Sequence, residues 1–352
     1  MFCSIIKTTN TKLLSRFVLL VLFFTTTSVY ARVWTSQRGS TIDAEFVRME
    51  GDLVILQKND GEQLRIRLAD LIPADQVFAR QSSVAPTIPA AHRNTKPQTP
   101  ITPGYSMIMN GVELVPGKRI QYEADVPNTL QKEASKDGNP TQLKSRAVIA
   151  LPMNFDPAKT YPVLIINATS DGNASSVDHH RQYWETGIDR GWIVIAADPL
   201  EKPKVDNNMW RWALVSSSLE SIHKIWPQSR AWPVATAGFS GGAKRSGYIG
   251  ALLAKNDYKL IGMFMGGCNQ DMASKGLETF KPKKSDFLRV PIFLSNGTSD
   301  TIATVEAGRR TLQSMDKSGF KKLKLETYDG GHELYKPHVM TALDWFTSEQ
   351  NK

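Results

Sequence analysis

From residue 105 onward the chain alternates short apolar runs with longer stretches of mixed polarity. Pro162-Val163-Leu164-Ile165-Ile166-Asn167-Ala168 and Trp192-Ile193-Val194-Ile195-Ala196-Ala197 are almost continuously apolar, as strands buried on both faces require. Val234–Ala237, Leu260–Met265 and Val290–Leu294 repeat the pattern, and Leu323–Tyr328 closes the series. Lys144–Leu151 is a further strand, ended by Pro152 and a turn at Asn154–Pro157, and Gly111–Ala124 holds short strand-like pieces. Val177–Arg190, Trp210–Trp226, Ala243–Lys255, Thr304–Ser318 and His338–Thr347 read as helices between and after these strands. Such alternation predicts an α/β domain, a mostly parallel sheet with helices on both faces. No internal repeat is visible.

Residues 32 to about 80 follow a different rule. Thr41–Val47 and Leu64–Leu68 alternate with period 2, Leu53–Leu56 is a short apolar strand, and Glu50-Gly51-Asp52 and Asn59-Asp60-Gly61 are turns. Leu71–Gln76 closes the stretch with a short helical turn. The pattern predicts a small β-barrel of the SH3-like kind. Residues 81–104, with Pro86, Pro89, Pro97, Pro100 and Pro103 among Ser, Thr, Ala and Gln, predict an extended linker that buries no core. A main domain over 105–352 completes this division.

Composition changes the picture at the N-terminus. Lys7, Lys12 and Arg16 precede the apolar run Phe17–Phe24, and Val29-Tyr30-Ala31 offers small residues at the −3 and −1 positions of a cleavage site. This predicts a secretory signal over 1–31, removed after Ala31, and hence export to the periplasm or beyond. Eight apolar residues are too few to span a bilayer stably, which disfavours an uncleaved anchor. Cleavage would remove three of the positive charges behind the formal net charge of +9. The remainder is mildly basic, with no Arg/Lys stripe of the kind a nucleic-acid groove needs; the cluster Lys281, Lys283 and Lys284 reads as a solvated loop. Of the two cysteines, Cys3 and Cys268, the second would remain alone, so no intrachain disulfide is expected and Cys268 reads as a buried thiol.

The candidate chemistry centres on Gly238-Phe239-Ser240-Gly241-Gly242, set between the strand Val234–Ala237 and the helix Ala243–Lys255. A serine on a sharp strand-to-helix turn is the G-x-S-x-G elbow. The turn strains the serine, its flanking glycines avoid collisions with neighbouring backbone, and its Oγ projects beside a helix N-terminus. The pattern by itself also fits a Gly-rich turn with a solvated serine. An acid and a histidine in suitable places separate the two readings. Asp300 follows the strand Val290–Leu294 through Ser295-Asn296-Gly297-Thr298-Ser299, at a strand's C-terminal end. His332 follows the last strand through Asp329-Gly330-Gly331. The chain order Ser240, Asp300, His332 is the order of an α/β-hydrolase triad. Asp271 is a rival acid, and Asp300 has a competing reading as a helix cap near Thr304. His179 and His180 lack the spaced partners of a metal site and read as helix surface, with the lining of a site entrance as the alternative. Neither a metal nor a cofactor is implied.

Two resemblances follow from these residues. Arg32-Val33-Trp34-Thr35, Ala44-Glu45-Phe46, Val54-Ile55-Leu56, Asp60-Gly61, Leu68-Ala69-Asp70-Leu71 and Asp75-Gln76 resemble the Sla1 homology domain 1 (SHD1) module, which implies docking of a protein or surface ligand to residues 32–80; the alternative is a module that merely packs on the main domain. Residues 105–350 resemble an α/β-hydrolase of the esterase kind, close in pattern to polyhydroxybutyrate-depolymerase-like, feruloyl-esterase-like and dienelactone-hydrolase-like enzymes. That resemblance implies a carboxylic ester hydrolase in which Ser240 attacks an acyl carbonyl, His332 takes its proton and Asp300 orients His332. It also implies an oxyanion hole of two backbone N–H groups, one from Gly241 and one from the loop after Ala168, where Thr169 is the candidate. Ala168-Thr169-Ser170-Asp171-Gly172 departs from the His-Gly or Gly-rich pattern common at that loop. No long insertion separates the three residues, which predicts an open site suited to bulky or polymer-linked esters. Trp210, Trp212, Trp226 and Trp232 either stack on substrate or pack a helix on the sheet. A serine peptidase on the same triad and a non-catalytic scaffold are the alternative readings. The oligomeric state has no signature in the sequence.

Overall fold

The computed structural model describes residues 32–37, 39–58, 62–83, 106–169 and 175–352. The expected leader over 1–31, the expected turn at Asn59-Asp60-Gly61, most of the expected linker and Ser170–Ala174 lie outside the described residues. The chain divides into two compact units, Met1–Gln98 and Thr99–Lys352.

In the first unit, β1 (Arg32–Thr35), β2 (Thr41–Glu50), β3 (Leu53–Lys58) and β4 (Gln63–Arg67) form an antiparallel sheet in sequential order. Trp34, Phe46, Val54, Leu56, Leu68 and Leu71 fill its core. The expected closing turn is instead a helix of 11 residues, α1 (Pro73–Ser83), which runs into the segment assigned to the linker. Pro73 at its first position and Asp75 in its first turn both favour the start of a helix. The Asp75 carboxylate, 2% exposed, also accepts from the Thr35 amide at 2.7 Å, tying the helix back to β1.

The second unit opens with the short pair β5 (Ile108–Met109) and β6 (Val112–Glu113), then β7 (Arg119–Asp125), α2 (Asn128–Ala134), β8 (Lys144–Ala150) and β9 (Val163–Asn167). There follow α3 (Ser176–His179), α4 (Trp184–Ile188), β10 (Ile193–Pro199), α5 (Asn208–Ile225), β11 (Val234–Phe239) and α6 (Gly241–Lys255). The chain ends with β12 (Leu260–Gly266), α7 (Met272–Phe280), α8 (Lys284–Phe287), β13 (Ile292–Gly297), α9 (Val305–Ser318), β14 (Leu323–Tyr328) and α10 (Lys336–Gln350). Eight strands make one sheet in the order β14-β13-β12-β11-β9-β10-β8-β7. The strands from β9 to β14 are parallel to one another, while β8 runs antiparallel to both β7 and β10.

Period-2 alternation sends Val163 and Ile165 into one core and Leu164 and Ile166 into the other. The first core is covered by α5, whose Trp210 and Trp212 are buried, together with Trp226 and Trp232 just beyond the helix. The second is covered by Val339, Leu343 and Phe346 of α10, and a third cluster joins β12 and β13 to the helices that follow the elbow. All four tryptophans therefore pack the core, each at most 3% exposed. Val177–Arg190, expected as one helix, is broken into α3, a single 3₁₀ turn and α4. His180 and Tyr183, both fully buried, turn inward at the break.

Candidate active site

The six parallel strands bring their following loops to one edge of the sheet, at their carboxyl ends, where ligands gather in open α/β sheets. Ser240 follows β11 there. Its φ of 55° and ψ of −119° lie outside the ordinary regions, and its amide donates to the Gly266 carbonyl of β12 at 2.8 Å. The glycines have a measurable reason. A Cβ on Gly238 would lie 2.2 Å from the Gly242 carbonyl oxygen, and one on Gly242 would lie 2.2 Å from that of Asn167. The elbow thus closes on itself and against β9. Beneath it Ser246 is a buried polar pin: its hydroxyl donates to the Gly242 carbonyl at 3.0 Å and accepts from the Asn167 side-chain amide at 3.2 Å.

Asp300 and His332 arrive on two loops that extend the β13–β14 pairing. The Thr298 amide donates to the Tyr328 carbonyl at 2.8 Å, and the Ser299 amide to that of Gly330 at 2.9 Å. The single Tyr328 O–H is shared between the Gly331 carbonyl, at 3.0 Å, and that of Glu333, closing the histidine loop. Asn296 holds the acid loop by donating to the Ala303 carbonyl at 2.7 Å. His332 Nδ1–H donates to Asp300 Oδ2 at 2.7 Å, which leaves Nε2 as acceptor for the Ser240 hydroxyl at 2.9 Å. The other Asp300 oxygen accepts from the Ile302 and Ala303 amides, each at 2.8 Å. Burial alone would raise this carboxyl's pKa, but the Ala303 amide, the His332 ring and the Ile302 amide outweigh it and hold it below the ordinary carboxylate value. The carboxylate therefore stays ionised beside the imidazole.

The rivals have other employment. Asp271 caps α7 through the Ser274 amide at 2.9 Å and accepts from the Ser314 hydroxyl at 2.7 Å. The cap of α9 is Thr304, not Asp300. The Cys268 thiol is fully buried and pushed up to about 11 by desolvation. Gly241 is the first residue of α6, so its amide has no carbonyl within the helix to bond. Thr169 packs directly on it: a Cβ on Gly241 would lie 2.1 Å from Thr169 Oγ1.

A groove of about 410 Å³ adjoins His332 and is lined by His179, Gln182, Phe239, Glu333, Leu334 and Lys336. Phe239 packs against the His332 ring at a centroid distance of 4.7 Å. A larger groove, about 730 Å³, is lined by Asp125, Trp212, His223, Arg230 and Tyr258 among others, and none of Ser240, Asp300 and His332 reaches it. Of the two, only the smaller one is lined by a residue of the hydrogen-bonded relay, His332. The two adjacent histidines divide: His179 lines that groove, while His180 is fully buried, not on the helix surface as the sequence suggested. Arg119 Nε donates to His180 Nδ1 at 3.1 Å, so the ring proton sits on Nε2 and bonds the Val194 carbonyl at 3.0 Å. Among the described residues no group of three or more His, Cys, Asp or Glu side chains is arranged to hold a metal ion.

Sequence reasoning missed a buried ionic cluster beside the site. Asp198, at the end of β10, faces Arg146 and Arg211; Asp206 faces Arg211 and Arg245. The available signal was an acid at the carboxyl end of an otherwise apolar strand. Of the groove residues, His179 carried a signal in the alternative reading of the His179–His180 pair, and Phe239 and His332 lie in the predicted motifs; Gln182, Leu334 and Lys336 carried none, because three separate stretches of chain meet there.

No family model and no curated protein matches the chain. Among solved structures it is similar to a ferulic acid esterase, at 16% identity and a TM-score of 0.47, over 66% of this chain and 98% of that one. It is likewise similar to an alpha-beta serine hydrolase homologue from Coxiella burnetii, at 12% identity and a TM-score of 0.42, over 68% of this chain and 99% of that one. A serine hydrolase without a lid from Xanthomonas campestris aligns at 15% identity and a TM-score of 0.42, over 68% of this chain and 95% of that one.

Proposed function

We propose that the protein is a serine hydrolase of the α/β-hydrolase kind that cleaves carboxylic esters through an acyl-enzyme on Ser240. The observation that carries the reading is the relay from Ser240 Oγ to His332 Nε2 at 2.9 Å and from His332 Nδ1 to Asp300 at 2.7 Å. Ser240 Oγ attacks the acyl carbonyl as its proton passes to Nε2. The C–O bond to the alcohol breaks, and the imidazolium returns that proton to the departing oxygen. Water then attacks the acyl-enzyme with His332 as base, releasing the acid and restoring Ser240. Asp300 stabilises the imidazolium without taking its proton. The Gly241 and Thr169 amides receive the developing oxyanion.

A fluorophosphonate probe tests this directly. The folded protein is expected to be labelled at Ser240, and Ser240→Ala to be neither labelled nor active on p-nitrophenyl esters. Folded protein that resists the probe would end the serine-hydrolase reading. Matched ester and anilide substrates then separate esterase from peptidase chemistry.

Residues 32–80 are read as an SHD1-like docking module on an exported protein. Support comes from the residues of that resemblance, the leader sequence, and a core of the module's own around Trp34. Deleting 32–80 is expected to abolish retention on cells or polymer while small-ester turnover persists. Unchanged retention would remove the docking role.

A further inference from the structure

Asp198, the next-to-last residue of strand β10, is 3% exposed, yet its carboxylate does not touch the triad. Its oxygens gather donors from the segment that returns from the Thr169 loop. The Ser176 amide donates to Oδ1 at 2.7 Å, the Val177 amide to Oδ2 at 3.2 Å, and the Ser175 hydroxyl to Oδ2. Arg146 Nη2 bonds Oδ2 at 3.1 Å, and the Arg211 guanidinium lies 3.7 Å from Oδ1. Two guanidinium groups thus stand beside a carboxylate that is almost wholly removed from water.

The same segment reaches back to the residue before Thr169. The Ser176 hydroxyl accepts from the Ala168 amide at 3.1 Å. One path therefore runs from the Asp198 carboxylate to Ser176, from Ser176 to Ala168, and along the chain to Thr169, which packs on Gly241. A helix as short as α3 does not need a buried carboxylate flanked by two guanidinium groups as its cap. The cost of that burial is understandable where the position of one backbone amide matters to a fraction of an ångström.

We infer that Asp198 is a positioning residue for acyl transfer, fixing the Thr169 amide in the oxyanion hole through Ser176 and Ala168. This rests on the reading of Ser240, Asp300 and His332 as the reacting triad.

The test uses Asp198→Asn and Ser176→Ala in the full-length protein. Active sites are counted by fluorophosphonate labelling, and rates on p-nitrophenyl acetate are expressed per labelled site. Asp198→Asn is expected to lower kcat per site by about 10- to 100-fold, short of the roughly 10²- to 10³-fold expected for deleting a donor. KM is expected to stay within about two-fold. Affinity for a trifluoromethyl ketone, whose adduct carries the oxyanion, should fall by the same factor as kcat/KM. Ser176→Ala, which keeps the Ser176 amide on the carboxylate and removes only the link to Ala168, should lose less in the same sense.

A purely structural Asp198 would lower Tm and the labelled fraction while leaving kcat per site and ketone affinity at wild-type values; that result overturns the inference. Should Asp198→Asn not fold, Ser176→Ala decides alone: wild-type kcat per site and ketone affinity refute the path, and a matched loss supports it. An unlabelled wild type instead fails the triad reading, whereas a labelled wild type beside an Asp198→Asn variant of unchanged kcat per site fails this inference alone.

Discussion

Ser240 holds a backbone conformation that costs a non-glycine residue about 1–3 kcal/mol, and its surroundings impose it. The consequence is testable without any substrate: Ser240→Gly should melt above Ser240→Ala, because glycine accepts a φ of 55° and alanine does not. Equal melting temperatures would mean that the turn is not strained at this residue. Asp300 makes the complementary case. Asp300→Asn keeps the Ile302 and Ala303 amides supplied with an acceptor but offers the imidazolium no charge, so kcat is expected to fall by about 10³- to 10⁴-fold with KM little changed. A fall below tenfold on p-nitrophenyl acetate would remove Asp300 from the relay.

His180 brings pH into the same scale. Desolvation, reinforced by Arg119 and Arg181 and opposed by the Val194 carbonyl, lowers its pKa from 6.5 to about 3. The unfolded chain therefore binds a proton below about pH 6.5 that the folded chain refuses until about pH 3. Stability falls as pH drops through that window. In His180→Gln the difference in Tm between pH 7 and pH 5 should narrow; an unchanged difference would assign the acid sensitivity to other groups.

At the level of elements, the junction of β11 and α6 decides whether the site exists. Gly242 sits so close to β9 that an added Cβ would meet the Asn167 carbonyl, which is backbone and cannot step aside. Gly242→Ala should cost more than about 2 kcal/mol and lower kcat together with stability, since separating α6 from β9 also parts Gly241 from Thr169. Gly331→Ala is the control. A Cβ there meets nothing within 4 Å, so its stability should stay within about 0.5 kcal/mol of wild type by denaturant titration. If the two variants behave alike, close approach is not what the elbow glycines provide.

Over the whole molecule, Ser240, Asp300, His332, Thr169 and the groove all belong to the second unit, Thr99–Lys352. A fragment beginning near residue 105 should therefore fold and hydrolyse p-nitrophenyl acetate at close to the full-length kcat. A fragment that folds but is inactive would show that the first unit serves the chemistry itself.

The sequence by itself determined the strands, the elbow and the chain order of Ser240, Asp300 and His332. Burial on both faces demands apolar runs such as Val163–Ile166, and the elbow demands glycine at fixed offsets from Ser240. Both constraints act on neighbours in the chain, so both are written there. Tertiary structure decided everything that joins distant stretches. The antiparallel placement of β8, the burial of His180 beside Arg119, the choice of Asp300 over Asp271 and the path from Asp198 to Thr169 depend on strand order and side-chain direction. Residues from 22 to 92 apart meet there because the sheet brings their loops to one edge, and no local periodicity records which loops those are.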